Sequence, residues 1–225
     1  MNHPQPPQVW PVIHLSTPEV AYRNAELAQA CGCTGVFIIE MDGHNDAIDP
    51  VAFELKRRFP GLNVGVNYLG MPAHFAVVRS LLLGMDATWS DKPGVRSDGV
   101  HPMVSAATVP VLQQNPKHLF FGSVAFKYQP EDADPPAAAR AALALGMIPT
   151  TSGAATGVPP QASKLHAMRQ AVGDGPLAVA SGIDPDNARE LGRFLTHILV
   201  STGISSSFHE FDEGLLRRLM AQLEG

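Results

Sequence analysis

Acid, base, amide, amine and hydroxyl side chains each stand at the end of a short apolar run in this sequence. Glu40 ends VFIIE, a carboxylate after four apolar residues and so half-buried by its surroundings. Burial disfavours the charged form, which predicts a raised pKa. Such a group serves as a general acid/base or as a nucleophile at a sugar carbon. The plainer use is a salt bridge to Lys127 or a bond to His14. His14 ends VWPVIH, Asn67 ends NVGVN and Asp91 follows TWS. The histidine is read as a base or as a hydrogen-bonded core residue. Asn67 is read as a partner for a sugar hydroxyl or carbonyl, or as a turn former. Asp91 stands where a proton next to a carbonyl is moved. Lys127 follows FGSVAF. A lysine among apolar residues loses basicity and forms Schiff bases, or it binds phosphate as a plain cation. A metal reading would join His14 to Asp42 and His44 of MDGHND. Asp, Gly, His and Asn are also ordinary loop formers, so no metal site or cofactor is assigned.

A second set of residues suits an anion. In LAVASGIDPDNA, 177–188, an apolar run ends at Ser181–Gly182, and Asp184 and Pro185 have the chemistry of an N-cap and a first helical residue. Backbone N–H groups and the positive helix end would then meet a negative ligand. Two further turns are small and hydroxyl-bearing: SGAATG, with Ser152, Gly153 and Thr156, and STG, with Ser201, Thr202 and Gly203. The expected ligand is a small phosphorylated molecule held by the amides of Gly182, Thr202 and Gly203.

Strands must carry these residues. Strand-like runs fall at 9–15, 35–40, 63–68, 86–90, 119–126, 147–151, 177–181 and 198–201, with helix-like stretches between them. Most are continuously apolar, as in parallel strands covered on both faces. Eight such units predict a single-domain (β/α)8 barrel, of the TIM type, over 9–225; a doubly wound open sheet is the alternative. Gly32, Gly84, Gly146 and Gly192 stand where helix C-caps are expected, each just before an even-numbered strand. In a barrel the polar strand ends form one ring on the C-terminal face, where catalysis resides. Residues 92–106 read as a long loop, a lid or an insertion. DEGLLRRLMAQLE, 212–224, reads as a closing amphipathic helix with Leu215, Leu219, Met220 and Leu223 inward.

Composition narrows the classes. Apolar residues make up 45% and charged residues 16% of 225, enough for a large core. A net charge of −5 gives no nucleic-acid footprint. No apolar run is long enough to span a bilayer. Residues 1–8 lack a basic and an apolar region, so they read as a frayed arm rather than a signal peptide. Cys31 and Cys33 read as small residues at a helix end, and the expected compartment is the cytoplasm. Apolar outer positions such as Leu81 and Leu83 make a second copy of the chain a candidate partner.

The run TSGAATGVPPQASKLHAMRQAVGDGPLAVASGIDPDNARELGRF…ILVSTGIS resembles the BtpA/SgcQ family of (β/α)8 proteins. Ser152, Gly153, Thr156 and Gly157 match its S-G-x-x-T-G turn. Ser181, Gly182, Pro185 and Asn187 match its next turn, and Ser201–Thr202 stands at the third. VIHL at 12–15, Glu40, VGVN at 64–67 and Lys127 are similar too. The chain departs at Met41 after Glu40, at Thr88-Trp89-Ser90, and at Tyr128 after Lys127. The resemblance implies a barrel like the ribulose-phosphate-binding class. It also implies a link to photosystem I biogenesis, and so a non-catalytic assembly factor as an alternative. The leading expectation is an enzyme on a phosphorylated sugar or nucleotide-like ligand. Glu40 would work at an anomeric carbon in preference to isomerase or aldolase chemistry, with Asp91, Asn67, Lys127 and His14 around it. A metal-dependent hydrolase is the further alternative.

Overall fold

The computed structural model describes residues 5–224. Eight parallel strands close into a barrel: β1 (Gln8–His14), β2 (Gly35–Ile39), β3 (Asn63–Asn67), β4 (Ala87–Ser90), β5 (Leu119–Ser123), β6 (Ile148–Thr151), β7 (Ala178–Ala180) and β8 (His197–Val200). Their order around the barrel is β1-β8-β7-β6-β5-β4-β3-β2. Helices α1 (Pro18–Ala30), α2 (Ile48–Arg58), α3 (Ala73–Leu82), α4 (Val109–Gln114), α5 (Pro135–Ala144), α6 (Ala162–Val172), α7 (Ala188–Gly192) and α8 (Glu213–Glu224) each follow one strand. The chain is therefore a (β/α)8 barrel, as its run of strands predicts. Of the expected arm, residues 1–4 lie outside the described residues. Gln8 already belongs to β1, its N–H donating to Thr196 O at 2.8 Å.

The period-2 alternation of each strand sorts side chains between two cores. Trp10, Phe37, Trp89, Phe121, Ala178 and Leu199 fill the barrel interior. Ring centroids of Trp10–Phe37, Phe37–Phe121 and Phe37–Trp89 stand 5.3, 5.1 and 6.0 Å apart, tilted or edge-on, as aromatic quadrupoles prefer. Val36, Ile38, Val64 and Val66 face the helices instead.

Gly32, Gly84 and Gly146 take positive φ (+78°, +71° and +80°) just after their helices, as expected. The pattern fails at Gly192, which is the last residue of α7 and has no positive φ. It is small because α8 packs on it: a Cβ there would come 2.7 Å from Leu223 Cδ2. In α8, Asp212 caps the helix through Leu215 N at 2.9 Å, and Leu216 with Leu219 is buried, one step from the expected Leu215. Cys31 and Cys33 are free thiols at the end of α1.

The long loop after β4 is ordered. Val95–Arg96 and Gly99–Val100 pair as an antiparallel hairpin. Arg96 ties it to the loop after β5, donating to Pro130 O at 2.9 Å and Glu131 O at 3.0 Å.

Candidate active site

The strands' C-terminal ends open on a small cavity of about 50 Å³ at the barrel mouth. His14, Trp89, Lys127, Thr156, Ser181, Ser201 and Thr202 line it, above Val12, Ala180 and Leu199. Six of the residues expected to do chemistry thus meet in one place, drawn from five strand ends.

Lys127 Nζ donates to Thr156 Oγ1 at 3.1 Å. Its pKa is lowered by burial, against the pull of Tyr128 and Asp91. Asp91 carries the opposite perturbation: burial raises its pKa, while the Asn67 bond, Lys127 and Lys92 oppose the rise. Asn67 Nδ2 donates to Asp91 Oδ1 at 3.2 Å. The two shifts run in opposite directions from the same cause, burial, and each group's charge opposes the other's shift; perturbed acid and base groups of this kind suit proton transfer.

His14 Nδ1 lies 3.1 Å from Phe208 O, and the two rings stack with centroids 4.3 Å apart. A carbonyl only accepts, so Nδ1 carries the proton and Nε2 keeps a lone pair in the neutral ring. Burial lowers the His14 pKa, outweighing the Phe208 bond, and His209 and Lys127 lower it further, which favours the neutral ring.

The hydroxyls divide into two groups. Ser152 Oγ accepts from Lys127 N at 2.7 Å and donates to Gly153 O at 2.8 Å. Ser181 Oγ accepts from Gly157 N at 3.0 Å and donates to Ala155 O at 3.2 Å. Both fasten loops. Ser181 does so at φ +129°, which side chains other than glycine rarely adopt. Thr156, Ser201 and Thr202 face the cavity beside Lys127. Gly182 and Gly203 serve close packing. A Cβ on Gly182 would collide with the backbone of Val158 and Pro159, and one on Gly203 would come 2.9 Å from Asp184 Cα. Gly153 is confined in the same way by Pro159 O, 2.7 Å from its Cβ position.

Two expectations are corrected. The Glu40 pKa is lowered rather than raised. Burial works to raise it, but backbone N–H groups of Asp42, His44 and Gly43, with the His44 charge, outweigh that. Its oxygens accept from Asp42 N at 3.2 Å and from His44 N, so the carboxylate ties down its own loop. Glu40 stands just past the end of β2 and does not line the mouth cavity. The second correction concerns Asp184. Regular helix starts only at Ala188. Asp184 itself takes the amides at the helix end, Asp186 N at 2.8 Å and Asn187 N at 3.0 Å, while the phosphate donors expected at Gly182, Thr202 and Gly203 are other amides. As for the metal reading, no three His, Cys, Asp or Glu side chains converge among the described residues.

Sequence reading passed over Lys164 and Gln129. Lys164 Nζ donates to Ala125 O at 2.7 Å and Ser152 O at 2.9 Å. Gln129 Nε2 donates to Asp91 O and, at 3.0 Å, to Ser123 O. A lysine in a helix's first turn opposes the macrodipole, which was the available signal for Lys164. Both residues line a groove of about 570 Å³ between the loops after β5 and β6, which shares Lys127 with the mouth cavity.

No protein-family model matches the chain. No curated protein matches it either. Solved structures do. A 3-hexulose-6-phosphate synthase superposes with TM-score 0.74 at 14% identity, covering 96% of this chain and 99% of that one. KGPDC from Streptococcus mutans, in a ligand complex, gives 0.72 at 14%, covering 98% of each chain. Phosphoribosyl anthranilate isomerase from Thermus thermophilus gives 0.64 at 12%, covering 96% of this chain and 98% of that one. At such identities the likeness shows the fold: a single-domain (β/α)8 barrel similar over nearly its whole length to solved barrels of this kind.

Proposed function

We propose that the chain is an enzyme acting on a small phosphorylated sugar. One observation carries this reading. The mouth cavity joins the Lys127 ammonium to the hydroxyls of Thr156, Ser201 and Thr202, and no carboxylate lines it. Cation and hydroxyl donors together suit a phosphate. The structural neighbours whose names carry phosphorylated sugars, 3-hexulose-6-phosphate synthase and phosphoribosyl anthranilate isomerase, support the same class, as does the resemblance of the 152–157 and 181–187 turns to the BtpA/SgcQ family.

The chemistry moves from Glu40 to Asp91. A carboxylate held ionised by its own loop is a poor acid. Asp91 lies outside the mouth cavity, so it would act on the part of a ligand that extends from the phosphate past Lys127; there it would move a proton next to a carbonyl while Lys127 neutralises the developing oxyanion. Isomerase or aldolase chemistry is thereby favoured over cleavage at an anomeric carbon. His14 offers a second base through Nε2. Asn67 orients Asp91.

Calorimetric titration with inorganic phosphate, ribose 5-phosphate and ribose tests the reading. The two phosphates should bind and ribose should not; binding of ribose alone, or of none, would overturn it. The assembly-factor reading keeps one observation in its favour: α3 exposes Phe75, Val78 and Leu82 on one face. That face also supports a second copy as partner.

A further inference from the structure

Lys127 sits in a loop whose backbone does not hold itself. Ala125 and Tyr128, on either side of it, take φ of +45° and +62°. Non-glycine residues keep such angles only where their surroundings over-determine them. The restraints here converge on two carbonyls. Ala125 O accepts from Thr151 Oγ1 at 3.1 Å and from Lys164 Nζ at 2.7 Å. The same Nζ donates to Ser152 O at 2.9 Å, and Ser152 Oγ receives the Lys127 N–H. One ammonium therefore clamps the loop after β5, which carries Lys127, to the loop after β6, which carries Thr156.

We propose that Lys164 is a positioning residue: by clamping the two loops it fixes Lys127 at the mouth cavity, within reach of Thr156 and in a partly desolvated setting. Lys164 does this without touching the ligand cavity. It is itself desolvated, its pKa lowered to about 8 by burial against the pull of Asp132. An ammonium donates in three directions, and each carbonyl bond to a charged donor is stronger than a neutral one. Methionine matches the aliphatic stem of lysine and supplies no donor. Without the clamp, Ala125 relaxes toward negative φ, the loop opens and Lys127 hydrates.

The test reads Lys127 directly. Trace acetic anhydride labelling across pH, followed by peptide mass spectrometry, gives the titration of each lysine in the native chain. In the wild type Lys127 should titrate below an ordinary lysine. In Lys164→Met it should move up by about one pH unit as water returns, and inorganic phosphate should bind about tenfold more weakly for the loss of a well-placed charged donor. Thr151→Val removes the other donor to Ala125 O and changes no charge, so the same upward movement there cannot be a charge effect. Where Lys164→Met does not fold, Lys164→Gln, too short to reach both carbonyls, takes its place. The proposal is overturned if the folded Lys164 variant keeps the wild-type Lys127 titration; a fall in melting temperature alone would mark Lys164 as merely structural. The phosphate arm rests on the function proposed above. If phosphate fails to bind the wild type, that function falls and the labelling arm still decides the role of Lys164.

Discussion

Substituting Gly182 by alanine separates two costs that a tight turn combines. Gly182 has φ +74°, where an alanine is strained by about 1–2 kcal/mol. Its Cβ would also press into the backbone of Val158 and Pro159. Backbone cannot step aside as a side-chain end can, so overpacking of roughly 1–3 kcal/mol is added. The sum is about 2–5 kcal/mol, a large part of the 5–15 kcal/mol that typically holds a domain together. Gly146 supplies the control. Its φ is +80°, but nothing lies within 4 Å of its Cβ position, so alanine there incurs the strain alone. Urea midpoints at equal m-values measure both. Gly182→Ala should lower the melting temperature by about 10 °C and Gly146→Ala by about 3 °C for a chain of this size. Relief comes by lifting loop 153–160 and Thr156 with it, so phosphate should also bind more weakly to Gly182→Ala and equally to Gly146→Ala. Equal losses of stability in the two variants would refute the close backbone packing on which this description of the turn rests.

Asp91→Asn should cut turnover by about 10²–10⁴-fold if Asp91 moves the proton, with wild-type-like rates refuting that role. A raised folded-state pKa means the folded chain holds the proton more tightly, so this group destabilises the fold as pH rises through the ordinary carboxylate range. Asp91→Asn should therefore melt higher than wild type at pH 8, with the gain vanishing below about pH 4. Glu40→Gln has the reverse sign. Its lowered pKa contributes stability that is present at neutral pH and lost as pH falls through the folded value, so the variant should melt lower at pH 7, converge with wild type in acid and still bind phosphate; unchanged melting at pH 7 would deny the loop-tying role. The apolar face of α3 predicts self-association in sedimentation velocity, abolished by Leu82→Glu, since Leu82 is 84% exposed; a monomeric wild type would refute it.

The barrel was legible in the residues alone. Continuous apolar runs such as VFII and LAVA require burial on both faces, and eight of them joined by helices leave little choice of architecture. The sequence also marked the polar strand ends, because a hydrophilic residue after such a run can only sit at the rim. What it could not decide was which rim residues look inward and what else competes for their atoms. Glu40 and Asp91 read alike as carboxylates after buried strands. Only the folded chain shows that Asp42 and His44 amides surround one, and that the other is partly buried, bonded by Asn67 and within the field of Lys127. Asp184 likewise takes the amides that its own turn seemed to offer an anion. Lys164 acts on loops 12 and 39 residues away in sequence. The reason is common to all of these. Burial follows from local pattern, whereas a pKa or a free donor depends on partners that only the closed chain brings within hydrogen-bonding reach.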